Sequence, residues 1–232
     1  MRYLIKYSKE GEIKFVSHLD LMRTIQRVIR RSGLPIEYSK GFNPHMTISI
    51  AQPLSVGVYS IGEYLDAVLT EELSENHILD MLNENSVSGV KFLEVTKVEK
   101  KEGVKSPQAM AAIDGAKYIM KIKLEDGVVA DFNSIMSLPE WEILKKTKSG
   151  EKEVDIKPLV KELKHSIEDG VLTLEAIICC GSRENLSASL LCDFVKIHLE
   201  GVKEDTFVDI KRIEMYGLKN EKLVPLSEFF SA

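Results

Sequence analysis

Cysteine is scarce and badly placed for cross-linking. Cys179, Cys180 and Cys192 are the only three in 232 residues, and none belongs to a CxxC pair. So small and odd a set excludes a disulfide scaffold. Histidine is equally thin: five are scattered through the chain with no HxH or HxxxH spacing, and Cys179 and Cys180 are neighbours in a strand-like run that points them to opposite faces. No metal centre is expected. No apolar run approaches the ~18 residues of a membrane span. The first residues, MRYLIKYSKEGEIKF, interleave charges with apolar groups where a signal peptide carries a continuous apolar stretch. Walker, GxGxxG and GxSxG loops are missing, as are short-period repeats and low-complexity tracts. The expectation is a cytoplasmic, membrane-free protein without a cofactor.

What is present is ordinary globular material, with 44% hydrophobic and 29% charged residues, enough for a core in one large domain or two small ones. The net charge of −5 is unevenly spread: residues 1–50 hold nine Lys and Arg against four acids, so the remaining 182 carry −10. A basic face on an acidic body still binds an anionic partner locally.

Hydrophobic periodicity gives the order of elements. Arg2–Tyr7 alternates as a strand, and Lys9–Glu12 reads as a turn. Ser17 opens a helix that runs to about Ser32 and stops at Gly33 and Pro35. Met46–Ala51 and Ile61–Thr70 are strands, Ser74 caps a helix to about Asn83, and Val90–Val98 is a strand. The resulting β-α-β-β-α-β order is the ferredoxin-like arrangement, an antiparallel sheet with two helices on one face. Residues 101–115 are short of large apolar groups and read as a linker. Beyond it come a strand (117–124), a helix (128–138), a hairpin (142–147 and 151–156), a helical pattern (159–166), a strand (171–180), a helix (186–199) and a last strand (206–215). The expected fold is therefore α+β: tandem ferredoxin-like units over residues 1–100 and 116–232, the second with an inserted helix.

The helix over 18–32 is the most informative element. Leu19, Leu21, Met22, Ile25, Val28 and Ile29 fill one arc, with His18 projecting near its middle, while Arg23, Arg27, Arg30 and Arg31 lie within about 100° of one another on the other side. Guanidinium forks match phosphate oxygens, which makes this face a candidate RNA-backbone surface, though a charged helix face is as often simply solvated. The following loop, Tyr38-Ser39-Lys40-Gly41-Phe42-Asn43-Pro44-His45, joins aromatics to a cation. Phe42 offers a ring for an unpaired base and Lys40 a phosphate contact, the alternative being a rigid turn with Phe42 in the core. Lys145, Lys146 and Lys148 cluster on the second-half hairpin, either as an RNA contact or as charges that protect an edge. His45 with His18 forms a candidate acid–base pair for metal-independent cleavage at a ribose 2′-hydroxyl.

Phe15–Arg23, Leu34-Pro35 and Tyr38–His45, followed by Pro53–Val58, Glu63–Asp66 and Lys146–Pro158, resemble the bacterial radical-SAM-linked protein family over nearly the whole chain. That resemblance implies a radical SAM protein as partner, encoded nearby or fused, often close to an E/G-type ribonuclease and ribosomal protein genes. The chain has no CxxxCxxC to hold an iron–sulfur cluster, so radical chemistry would belong to the partner. More distantly, the first half is similar to the ferredoxin-like domains of CRISPR repeat-processing endoribonucleases. The functional expectation is a non-catalytic RNA-binding accessory protein that acts with a radical SAM enzyme. The alternatives are a metal-independent endoribonuclease and a protein-interaction module for that partner.

Overall fold

The computed structural model describes residues 1–99, 106–127, 130–147 and 150–231. It divides into two compact units: Met1–Asp114 with Arg212–Ala232, and Gly115–Lys211.

The first unit starts with β1 (Arg2–Lys9), a short 3-10 turn (Gly11–Phe15), α1 (His18–Ser32), β2 (Ile48–Ile50), β3 (Tyr59–Val68), α2 (Glu75–Glu84) and β4 (Phe92–Lys97). This is the expected β-α-β-β-α-β order. β1 is central, antiparallel to β3 on one side and β4 on the other, and β2 adds to β3. Alternation sends Tyr3, Ile5 and Tyr7 of β1 and Leu65 and Ala67 of β3 to the helix-facing side, where they pack with Leu21, Ile25, Val28 and Ile29 of α1 and Ile78 and Leu82 of α2. Each leucine, isoleucine or valine among them, fully buried, contributes roughly 1.5–3 kcal/mol. Ser17 caps α1 by accepting from the Asp20 amide, and Gly33 ends it in the left-handed region at φ 72°.

The region expected to be a linker is structured wherever it is described. Lys101–Lys105 lie outside the described residues, but Ala109–Ala112 form a one-turn helix, α3, in which Ala109 and Ala112 are buried. Ser106 accepts a hydrogen bond from Arg2, and the Ala109 amide donates to Asp66. Alanines pack closely without bulk, which is why the segment looked featureless.

The second unit holds β5 (Ile113–Lys123), α4 (Phe132–Met136), β6 (Glu142–Thr147), β7 (Gly150–Asp155), β8 (Val160–Glu168), β9 (Val171–Cys179) and α5 (Ala188–His198). β5 and β8 flank β9, both antiparallel, and β6 with β7 makes a separate hairpin. Ile122, Met120, Tyr118 and Ala116 oppose Leu172, Leu174, Ala176 and Ile178 in register, and all eight are buried. Trp141 stacks on Phe194 of α5 at 5.3 Å and donates its indole N–H to the Ile135 carbonyl.

Residues 159–166 form most of β8 rather than the expected helix. Leu159 and Leu163 have helical spacing, but the backbone pairs with β9 from Val160 to Glu168. The insertion into the second β-α-β-β-α-β order is therefore the β6–β7 hairpin. After α5 come β10 (Val208–Lys219), β11 (Lys222–Pro225) and α6 (Leu226–Phe230). The expected second unit, 116–232, stops short of the C-terminus: from Arg212 onward the chain groups with residues 1–114. Buried polar contacts account for this, since Arg212 pairs with Glu63, while Glu214 bonds Lys6 and Tyr64. Gly62 of β3 has no room for a side chain, because a Cβ there would overlap the Ile213 carbonyl.

Candidate nucleic-acid interface

α1 presents its arginines to solvent as expected: Arg23, Arg27, Arg30 and Arg31 are all exposed. Their partners differ. Arg23 pairs with Asp20 at 2.9 Å, and Arg31 donates to the Asn85 carbonyl at 2.6 Å. Arg27 and Arg30 make neither a hydrogen bond nor an ion pair among the described residues. The Ser17 hydroxyl, and then Arg23, hold the Asp20 carboxyl below the usual carboxylate range.

The loop after α1 projects on a closed stem. Tyr38 bridges Met46, the Ser39 amide donates to the His45 carbonyl at 2.8 Å, and the His45 amide donates to the Ser39 hydroxyl at 3.0 Å. Met46 is buried beneath, while residues 37–45 are exposed. At the tip Phe42 is 108% exposed, so the turn with a core-plugged ring is excluded. Lys40 beside it has no partner among the described residues.

The two candidate catalytic histidines are not brought together. His18 opens α1 at the Lys9 end of β1; His45 follows the far end of α1, where Thr47 accepts from Val68, the residue opposite Arg2. α1, about 22 Å long from 15 residues at 1.5 Å each, runs between those two ends. His18 is half-buried and Leu19 is 65% exposed, so neither occupies the apolar arc assigned to it. The buried stripe of the helix begins at Leu21.

In the second unit Lys145 is half-buried and reaches the Asn185 carbonyl at 3.5 Å. Lys146 lies opposite Glu151 in the hairpin register. Its side chain, and the whole of Lys148, fall outside the described residues.

Sequence reasoning missed a buried charged cluster at the N-terminal end of α1. Lys9 and Glu63 are both 0% exposed and Arg212 is 3% exposed. Arg212 donates to Glu63 at 3.0 and 3.3 Å, to the Gln52 carbonyl at 3.2 Å and to the Pro53 carbonyl at 3.4 Å. Lys9 donates to the Val16 carbonyl at 3.1 Å. The two cations thus fasten the loops on either side of β1 and β3. Burial lowers the Lys9 ammonium pKa, partly opposed by Glu63, and pushes the Tyr7 phenol well up. The Tyr7 hydroxyl is buried without a hydrogen-bond partner among the described residues. The one available signal was Glu63 within the alternation of β3, at a position pointing to the helices.

Fold and surface together define an α+β protein of ferredoxin-like order with antiparallel sheets, carrying an arginine-faced helix and an aromatic-tipped loop. The chain belongs to the family described as "Uncharacterized protein conserved in bacteria (DUF2344)", whose model matches residues 2–188. No curated protein matches it. Among solved structures it is similar to a chain of the "Crystal Structure of a Cbf5-Nop10-Gar1 Complex", with a TM-score of 0.50 and 10% identity. That match covers 92% of this chain and 48% of the other, so the chain spans about half of the structure it resembles. No helix among the described residues is long and apolar enough to cross a membrane, and none of their side chains group as a metal site.

Proposed function

We propose that this chain is a non-catalytic RNA-binding accessory protein that acts with a radical SAM enzyme. The observation that carries the reading is Phe42, fully solvent-exposed at the tip of a hydrogen-bonded stem, with Lys40 beside it and, on the preceding helix, Arg27 and Arg30, exposed and without a hydrogen bond or ion pair among the described residues. An exposed ring on a fixed stem provides a stacking face for an unpaired base, and each phosphate contact adds an electrostatic increment. The radical SAM partner follows from the motif resemblance, and the redox chemistry would be its own. Because His18 and His45 stand at opposite ends of α1, the paired-histidine nuclease is not part of this proposal.

Fluorescence anisotropy with a labelled single-stranded RNA tests the reading. Affinity should fall linearly on a log–log plot against salt, and Arg27→Ala with Arg30→Ala should reduce the slope by about 1.4, at 0.7 per contact. Binding indifferent to salt, or unchanged in the double variant, refutes it. Co-purification from nuclease-treated lysate then separates an RNA contact from a direct protein contact of the arginine face: a partner retained without RNA through those arginines favours the interaction-module reading.

A further inference from the structure

A second aromatic-and-lysine platform lies at the other end of α1. Phe15 and Leu19, just before and just inside the helix, are 60% and 65% exposed, and Val56 is 58% exposed. The Gly57 amide donates to the Lys14 carbonyl at 2.8 Å, which brings the loop carrying Val56 against the turn carrying Phe15. The Lys14 ammonium bonds the Tyr59 hydroxyl, lies 3.9 Å from the Tyr59 ring centroid and lies 5.0 Å from that of Phe15. No acid pairs with it among the described residues. Beneath this surface, Lys9 holds the Val16 carbonyl, and Arg212 holds those of Gln52 and Pro53. Large apolar groups are thus kept in the open on a braced base, a costly arrangement for a surface that meets only water.

We infer that α1 carries a single-stranded RNA between two stacking anchors, Phe42 with Lys40 at one end and Phe15 with Lys14 at the other, its phosphates lying along Arg30, Arg27 and Arg23. This rests on the RNA-binding reading and adds a path and a length to it. The charge is complementary: five cations line the path, against Asp20 on the helix and Glu12 and Glu37 at its ends. The 22 Å of α1 equals about six nucleotides at 3.4 Å per stacked base. A duplex buries its base faces, so it offers the anchors nothing to stack on.

The test is anisotropy of the full chain at low salt with labelled oligouridylates of 3, 6, 9 and 12 nucleotides and a 12-base-pair duplex. Affinity should rise steeply between 3 and about 7 nucleotides and then flatten, with the duplex weaker than the 12-mer. Phe15→Ala, a change at an exposed ring, should leave the circular dichroism unchanged, weaken the 12-mer about 5- to 100-fold and abolish the length step. Lys14→Gln should reduce the salt slope by about 0.7. If the 12-mer binds and Phe42→Ala weakens it while Phe15→Ala and Lys14→Gln do not, the second anchor is overturned and the RNA-binding reading stands. If no oligomer binds at low salt, both fall. A duplex that binds as tightly as the 12-mer overturns the single-strand path.

Discussion

Arg212→Met tests whether the buried charged cluster holds the first unit together. Arg212 bonds both Glu63 oxygens, the only group to do so among the described residues, and Glu63 is 0% exposed. Methionine fills much of the volume but leaves a buried carboxylate without its guanidinium and two loop carbonyls without their donor. Breaking such a pair from one side costs about 3–5 kcal/mol. The lower end is expected here, because the Lys9 ammonium also attracts Glu63. The measurement is equilibrium urea unfolding followed by far-UV circular dichroism, read as a midpoint shift at constant slope. Glu63→Leu combined with Arg212→Met removes both charges, so the double variant should cost about 2 kcal/mol less than the two single losses together. A single-variant loss below about 1 kcal/mol, or strict additivity, refutes the view that the charges stabilise each other in the core.

Four further outcomes concern other groups in the fold. Tyr7→Phe removes a buried hydroxyl that has no partner among the described residues and should raise stability by about 1 kcal/mol; a loss on urea unfolding would show that the hydroxyl is satisfied after all. Ser17→Ala should lower stability by about 1 kcal/mol through loss of the α1 cap. Asp20 has a depressed carboxyl pKa through Ser17 and Arg23. Its contribution is therefore present above the unfolded value of about 3.9 and lost as pH falls through the lower folded one. Asp20→Asn should accordingly be less stable than the parent at neutral pH and equal to it once both values are passed. Burial pushes the Cys192 thiol up to about 12 and raises that of Cys179, so the native chain should resist iodoacetamide at pH 8 while the unfolded chain takes up three labels by mass spectrometry.

Local chemistry settled the elements that depend on near neighbours. Ser17 and Gly33 define α1 because a hydroxyl cap and a left-handed glycine act within one turn. β5 and β9 show in the alternation of Lys117–Leu124 and Val171–Cys180 because one face of each is packed. The arginine face and the loop at Phe42 were legible for the same reason, since spacing along a helix and a Gly-Asn-Pro turn are properties of short segments. What distant partners decide was not legible. Leu159 and Leu163 have the spacing of a helix, and pairing with β9 alone makes that segment a strand. His18 and His45 bracket one helix in the sequence, and the helix holds them apart. Lys9 looked like part of a polar turn, and Arg212 fell inside the last strand with nothing near it in sequence to mark it as buried. Their burial depends on Glu63, which lies 149 residues from Arg212, and on carbonyls of loops that only the folded chain brings near. A charge enters a core when its partner is there to meet it, and that partner is supplied by the tertiary structure.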